Sequence, residues 1–133
     1  MAQIKKILLV DDDIDLLDQT KLILLAKGYE VVTAETAEEG YKKFEEFLPD
    51  ALLIDLMMEE HDSGFILSYK VRKHPHGKNV PIIMMTSAAY LTNYKFNAST
   101  EEEKEWLKCD AVLNKPVIIE DLLQKLESFN KQD

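Results

Sequence analysis

The chain has 133 residues, room for one domain and little else. Hydrophobic residues make up 46%, enough for one full core, and 4 glycines and 4 prolines without a low-complexity stretch argue against a disordered tail or long linker. The net charge of −9 repels nucleic acid phosphates and anionic membranes, and the runs of three like charges are themselves acidic, Asp11-Asp12-Asp13 and Glu101-Glu102-Glu103.

Short apolar runs alternate along the chain with segments of helical period. Lys6–Val10 is apolar from Ile7 onward without alternation, which suits a strand covered on both faces, as in a parallel sheet. After it, Leu16-Leu17 recur seven residues later as Ile23-Leu24, and Gly28 stands where a helix C-cap belongs. Glu30–Ala34 is a second strand, β-branched at Val31, Val32 and Thr33. Thr36 is placed to cap a helix whose stripe is Ala37, Gly40, Tyr41, Phe44, Phe47 and Leu48. Ala51–Ile54 is the third strand, Ser63–Lys73 a helix of weaker pattern, and Pro81–Met85 the fourth strand. Ser99–Lys108 opens like a capping box, with Ser99 and Glu102, but Trp106 and Leu107 are its only apolar anchors. Ala111–Leu113 is the fifth and shortest strand, and Ile119, Leu122, Leu123 and Leu126 form a last stripe.

The order βα, five times over, predicts an α/β fold with a doubly wound parallel sheet and helices on both faces. No internal repeat or shift of composition marks a second unit, so residues 1–133 are expected to form a single domain without an output domain. A single cysteine, Cys109, excludes an internal disulfide and reads as a small buried residue in a reducing compartment. The apolar run after Lys5-Lys6 is too short for a signal peptide, and nothing approaches the ~20 apolar residues of a membrane span. The expectation is a cytoplasmic protein with no direct nucleic acid contact and no membrane insertion.

Ligands of such sheets bind beyond the carboxyl ends of the strands. Polar residues collect there: Asp11-Asp12-Asp13 after the first strand, Asp55 after the third, Thr86-Ser87 at the fourth, and Asn114-Lys115-Pro116 after the fifth. Neighbouring strands lie about 4.8 Å apart, so these groups can share one cleft. Asp12, Asp55 and an added phosphate form a hard, oxygen-only site suited to Mg²⁺, while Thr86 can donate a hydrogen bond and Lys115 can pair with a phosphate. A carboxylate nucleophile, a metal, a hydroxyl and an ammonium are what phosphoryl transfer to an aspartate needs. Taken singly, each has a plainer role: acids after a strand cap the next helix, Asp55 and Thr86 suit turns and caps, and Lys-Pro stops a helix. Their joint occurrence at four strand ends, in order, favours the shared site.

These motifs, "ILLVDDD", "LLIDLMM", "IIMMTSA" and "LNKP", resemble the receiver domain of bacterial response regulators over about residues 4–130. The resemblance implies a flavodoxin-like (βα)5 fold of strand order 2-1-3-4-5, in the manner of single-domain chemotaxis receivers. It implies Asp55 as phosphoacceptor, Asp11 and Asp12 as the acidic pair, and the Met57 backbone carbonyl as a further ligand to Mg²⁺ or Mn²⁺. Thr86 becomes the switch hydroxyl and Lys115 the phosphate-pairing lysine, joined to Pro116 by a cis peptide. The implied partners are a sensor histidine kinase or phosphotransfer protein and a downstream protein. The implied role is that of a phospho-accepting signalling protein rather than an enzyme.

Three features depart from the family pattern. Val112 occupies the usual aromatic switch position, the loop Met58-Glu59-Glu60-His61-Asp62-Ser63-Gly64 is one residue longer and lacks the usual proline, and residues 87–114 make a longer spacer than is usual. The altered switch position directs attention to residues 87–108 as an output surface, with Tyr90, Tyr94, Phe96 and Trp106 as interface-type residues. His61, His74 and His76 read as surface loop residues, and Met57, Met58, Met84 and Met85 as core filling apart from the Met57 carbonyl. Asp11, Asp13 and Asp15 imitate an EF-hand start, but Leu16 and Leu22 stand where Gly and Glu belong. One rival is a haloacid-dehalogenase-like phosphatase with Asp11 as nucleophile and Asp13 as acid/base, opposed by Asp15 where that motif has Thr or Val. Another is a degenerate receiver that only binds, opposed by the intact set Asp12, Asp55, Thr86 and Lys115.

Overall fold

A computed structural model describes residues 4–55, 63–87, 109–115 and 117–130. Its strands are β1 (Lys6–Val10), β2 (Glu30–Ala34), β3 (Ala51–Asp55), β4 (Ile82–Ser87) and β5 (Ala111–Lys115). They form one parallel sheet in the order β2-β1-β3-β4-β5, as expected. The helices described are α1 (Ile14–Ala26), α2 (Ala37–Phe47), α3 (Ser63–Lys73) and α4 (Ile119–Asn130), with a 3-10 turn at Pro75–Lys78. The expected helix at Ser99–Lys108 lies outside the described residues.

Because successive strand residues point to opposite faces, each strand feeds two cores. Leu8, Val10, Leu52, Ile54, Ile82 and Met84 meet Phe44 of α2 and Leu67 and Val71 of α3. Ile7, Leu9, Leu53, Ile83 and Met85 meet Leu17 and Leu24 of α1 and Leu122 and Leu126 of α4. Burying one such side chain contributes about 1.5–3 kcal/mol, so the centre of the sheet is held hard from both sides. Cys109 is buried in the first core, as expected.

Local chemistry sets the helix ends. Asp13 Oδ1 accepts the Leu16 N–H at 3.1 Å and caps α1, and Thr36 Oγ1 accepts the Glu39 N–H at 3.0 Å and caps α2. Gly28 follows α1 with φ +97, a conformation glycine adopts without steric cost. Leu48 closes the predicted α2 stripe in sequence but not in space. It is the left-handed C-cap, with φ 50, and this turns its side chain outward to 42% exposure. His74 and His76 also differ from simple surface residues. His74 caps the 3-10 turn, both rings pack on Phe44, and His76 Nε2 lies 2.7 Å from the Pro49 carbonyl oxygen.

Candidate functional site

The strand ends bring acidic side chains together. The Asp11 N–H donates to the Ala34 carbonyl at 3.1 Å, which carries the β1–β2 ladder one step past Val10. On the other side Val10 pairs with Ile54, so Asp11 and Asp55 end adjacent strands side by side. Oxygens of Asp11, Asp12 and Asp55 all lie within 4.8 Å of one another. Asp11 is 0% and Asp55 4% exposed, whereas Asp12 is exposed to solvent.

The three consecutive aspartates therefore have separate tasks. Asp13 caps α1, and its own N–H donates to Asp11 Oδ1 at 3.0 Å, which helps to orient that buried carboxylate. The plainer reading of an acid after a strand holds for Asp13, whose carboxylate caps α1. Asp11 and Asp12 remain with Asp55 as a set of hard oxygen donors. Burying like charges is costly unless a cation or hydrogen bonds offset them, and such a donor set fits Mg²⁺ or Mn²⁺, which take few carboxylates and keep several waters.

Two more strands reach this end. Asp55 pairs with Met85, which places Thr86 one residue beyond it on β4, 1% exposed. Thr86 pairs with Asn114 and Ser87 with Lys115, so the β5 backbone carries Lys115 to the same end. Val112 is half-buried against the core on the α2 and α3 side. Met57, Met58, His61, Pro116, Tyr90, Tyr94, Phe96 and Trp106 lie outside the described residues. Both β4 and β5 run two residues further than their apolar runs, because ladder hydrogen bonding continues past the last hydrophobic side chain. No helix among the described residues is long and apolar enough to cross a membrane.

This strand order and fold are matched in known proteins. The sequence fits the response regulator receiver domain over residues 7–127. The chain belongs to the response regulator receiver family. A CheY-like receiver domain protein from Methanospirillum hungatei JF-1 is 35% identical, with a TM-score of 0.78, covering 96% of this chain and 94% of that one. The chemotaxis response regulator CheY4 of Vibrio cholerae is 27% identical, with a TM-score of 0.78, covering 95% of this chain and 98% of that one. Among curated relatives, the ycf27 protein of Guillardia theta is 36% identical over 83 residues, which are 62% of this chain and 31% of that protein. The chain thus spans under a third of that relative's length. As a receiver of the two-component response regulators, it is a signalling protein of a family in which an aspartate accepts a phosphoryl group.

Proposed function

We propose that this receiver accepts a phosphoryl group on Asp55 from a sensor histidine kinase or phosphotransfer protein, and that the modification switches its binding to a downstream protein. The observation that carries the reading is the convergence of buried Asp55 with Asp11 and Asp12 within 4.8 Å at the carboxyl end of the sheet. An Asp55 carboxylate oxygen forms the new bond to phosphorus as the bond from phosphorus to the donor's nitrogen or oxygen breaks, and the donor leaves with that electron pair. Asp11 and Asp12, with Asp55 and the Met57 carbonyl, are the residues that would hold Mg²⁺ or Mn²⁺. Such an ion, when bound, neutralises the charge that gathers on the phosphoryl oxygens. Thr86 donates its hydroxyl proton to one phosphoryl oxygen, and the Lys115 ammonium pairs with another. The same residues promote hydrolysis of the aspartyl phosphate, so the protein times its own signal without turning over a separate substrate.

Incubation with acetyl phosphate and Mg²⁺, followed by mass spectrometry, tests this. Wild type gains one phosphoryl group at Asp55, and Asp55→Asn gains none at that position. Equal labelling of Asp55→Asn sinks the assignment, and no labelling of either protein favours a receiver that only binds.

A further inference from the structure

Arg72 and Asp110 stand at the amino ends of the strands, away from the acidic cluster, and the chemistry proposed above uses neither. Arg72 Nη1 donates to the carbonyls of Gly77 at 2.9 Å and Val80 at 2.7 Å, and its Nη2 donates to Asp110 Oδ2 at 2.7 Å. The same Oδ2 accepts the Ile82 N–H at 2.8 Å, while the Asp110 N–H donates to the Ile82 carbonyl at 2.8 Å. Asp110 thus holds both backbone groups of the residue that opens β4, and it does so directly before β5 begins. Arg72 in turn ties this junction to the end of α3 and to the 3-10 turn. Its side chain is 19% exposed, so the ion pair is shielded on one side, and bonds to ionised groups are the stronger kind.

β5 is where such an anchor matters. It is a five-residue strand at the edge of the described sheet, paired among the described residues with β4 alone. Residues 88–110 separate it from β4, so no short turn fixes its register. A slip of one residue would turn Val112 off its core face and move Lys115 about 3.3 Å along the strand. The central strands β1 and β3 carry a like clamp, with the Asp50 carboxylate accepting the Lys6 N–H at 3.0 Å and the Asp50 N–H donating to the Lys6 carbonyl at 2.8 Å, but they also have neighbours on both sides to hold their register.

We propose that Arg72 and Asp110 are positioning residues for the phosphorylation site: they lock β5 in register on β4 and so set where Lys115 stands relative to Asp55. This rests on the assignment of Lys115 made above. The lock acts at one end of a short strand and the lysine at the other.

The test compares Asp110→Ala, Arg72→Met, Lys115→Ala and the double variant Asp110→Ala/Lys115→Ala in the full chain. Amide exchange is measured by NMR without phosphate, and amide shift changes with acetyl phosphate and Mg²⁺. In Asp110→Ala and Arg72→Met, β5 amides are expected to exchange about tenfold faster or more, the scale of one lost charged hydrogen bond, with β1 and β3 unchanged. Mg²⁺ affinity stays within about twofold, because the acidic cluster is distant and lies on other strands. The phosphorylated single variants show the reduced β4 and β5 shift changes of Lys115→Ala, and the double variant loses no more than Lys115→Ala alone. Wild-type β5 exchange, a wild-type phosphorylation response, or additive losses in the double variant each overturn the proposal. If Asp110→Ala does not fold, Asp110→Asn keeps an acceptor for Ile82 and weakens only the ion pair; a wild-type response from it overturns the proposal equally. A Lys115→Ala protein that responds as wild type refutes the lysine's role, and the proposal with it. The β5 exchange of the other variants then shows separately whether the register lock exists.

Discussion

Asp55 closes β3 and Thr86 stands one residue before the end of β4, the two one residue out of step, Asp55 opposite Met85 and Thr86 just beyond, and both are buried, at 4% and 1% exposure. A group added to Asp55 extends past the strand end, toward the level that Thr86 occupies. On the phosphorylation proposed for Asp55, the stagger would give the hydroxyl a state-dependent partner. An interaction that differs between two states is what shifts a population between them.

Thr86→Val keeps the β-branched shape and removes the hydroxyl. It is expected to fold and to accept phosphate at Asp55, but to populate the switched state about tenfold less, the scale of one hydrogen bond of 1–1.5 kcal/mol. Thr86→Ser retains the hydroxyl and retains the response. Amide shift changes on phosphorylation check both, and a wild-type response from Thr86→Val removes the hydroxyl from the mechanism.

Gly77→Ala is expected to destabilise the fold by roughly 2–4 kcal/mol, an overpacking cost at the upper end of such changes. Gly77 is buried in the 3-10 turn, where an added Cβ collides with the Val71 carbonyl oxygen, and backbone cannot yield as a flexible side chain can. Its carbonyl is also one of the acceptors of Arg72. Urea denaturation checks this, and an unchanged midpoint contradicts the close approach of the turn to α3.

Much of this was legible in the residues. β1, β2 and α3 have the bounds their patterns predict, because solid apolar runs, β-branching and helical spacing are local signals. The meeting of Asp11, Asp12 and Asp55 followed from strand order, since residues ending adjacent parallel strands must be neighbours. The pairing of Arg72 with Asp110 left no such trace, nor did the capture of the Lys5 and Lys6 N–H groups by the Asp50 carboxylate at 2.9 and 3.0 Å. These contacts join distant parts of the chain, and an exposed-looking Arg or Asp carries no period that names its partner. α1 is apolar on more than one side, so only packing shows that Leu17 and Leu24 face the core while Leu22 is 68% exposed.

Divalent metal is expected to stabilise the unphosphorylated protein, and the acidic cluster gives the reason. Three carboxylates have oxygens within 4.8 Å, and two of those side chains are almost wholly buried. At such separations the repulsion between like charges is weakened by water only in part, and folding must overcome it. A ligand that binds the folded chain alone adds ~2.7 kcal/mol at 100 times its dissociation constant, so melting temperature should climb with Mg²⁺. Asp12→Ala separates the ion's effect from a general salt effect. This exposed residue holds no core together, so the variant should fold and be as stable as wild type, or more so, without metal. With one donor gone, it should gain much less from Mg²⁺. NaCl at matched ionic strength should leave the two proteins' difference in place, because screening acts weakly on buried pairs. If Mg²⁺ raises the melting temperature of wild type and Asp12→Ala equally, or of neither, the cluster is not a metal site and the charge balance of Asp55 must come from the protein itself.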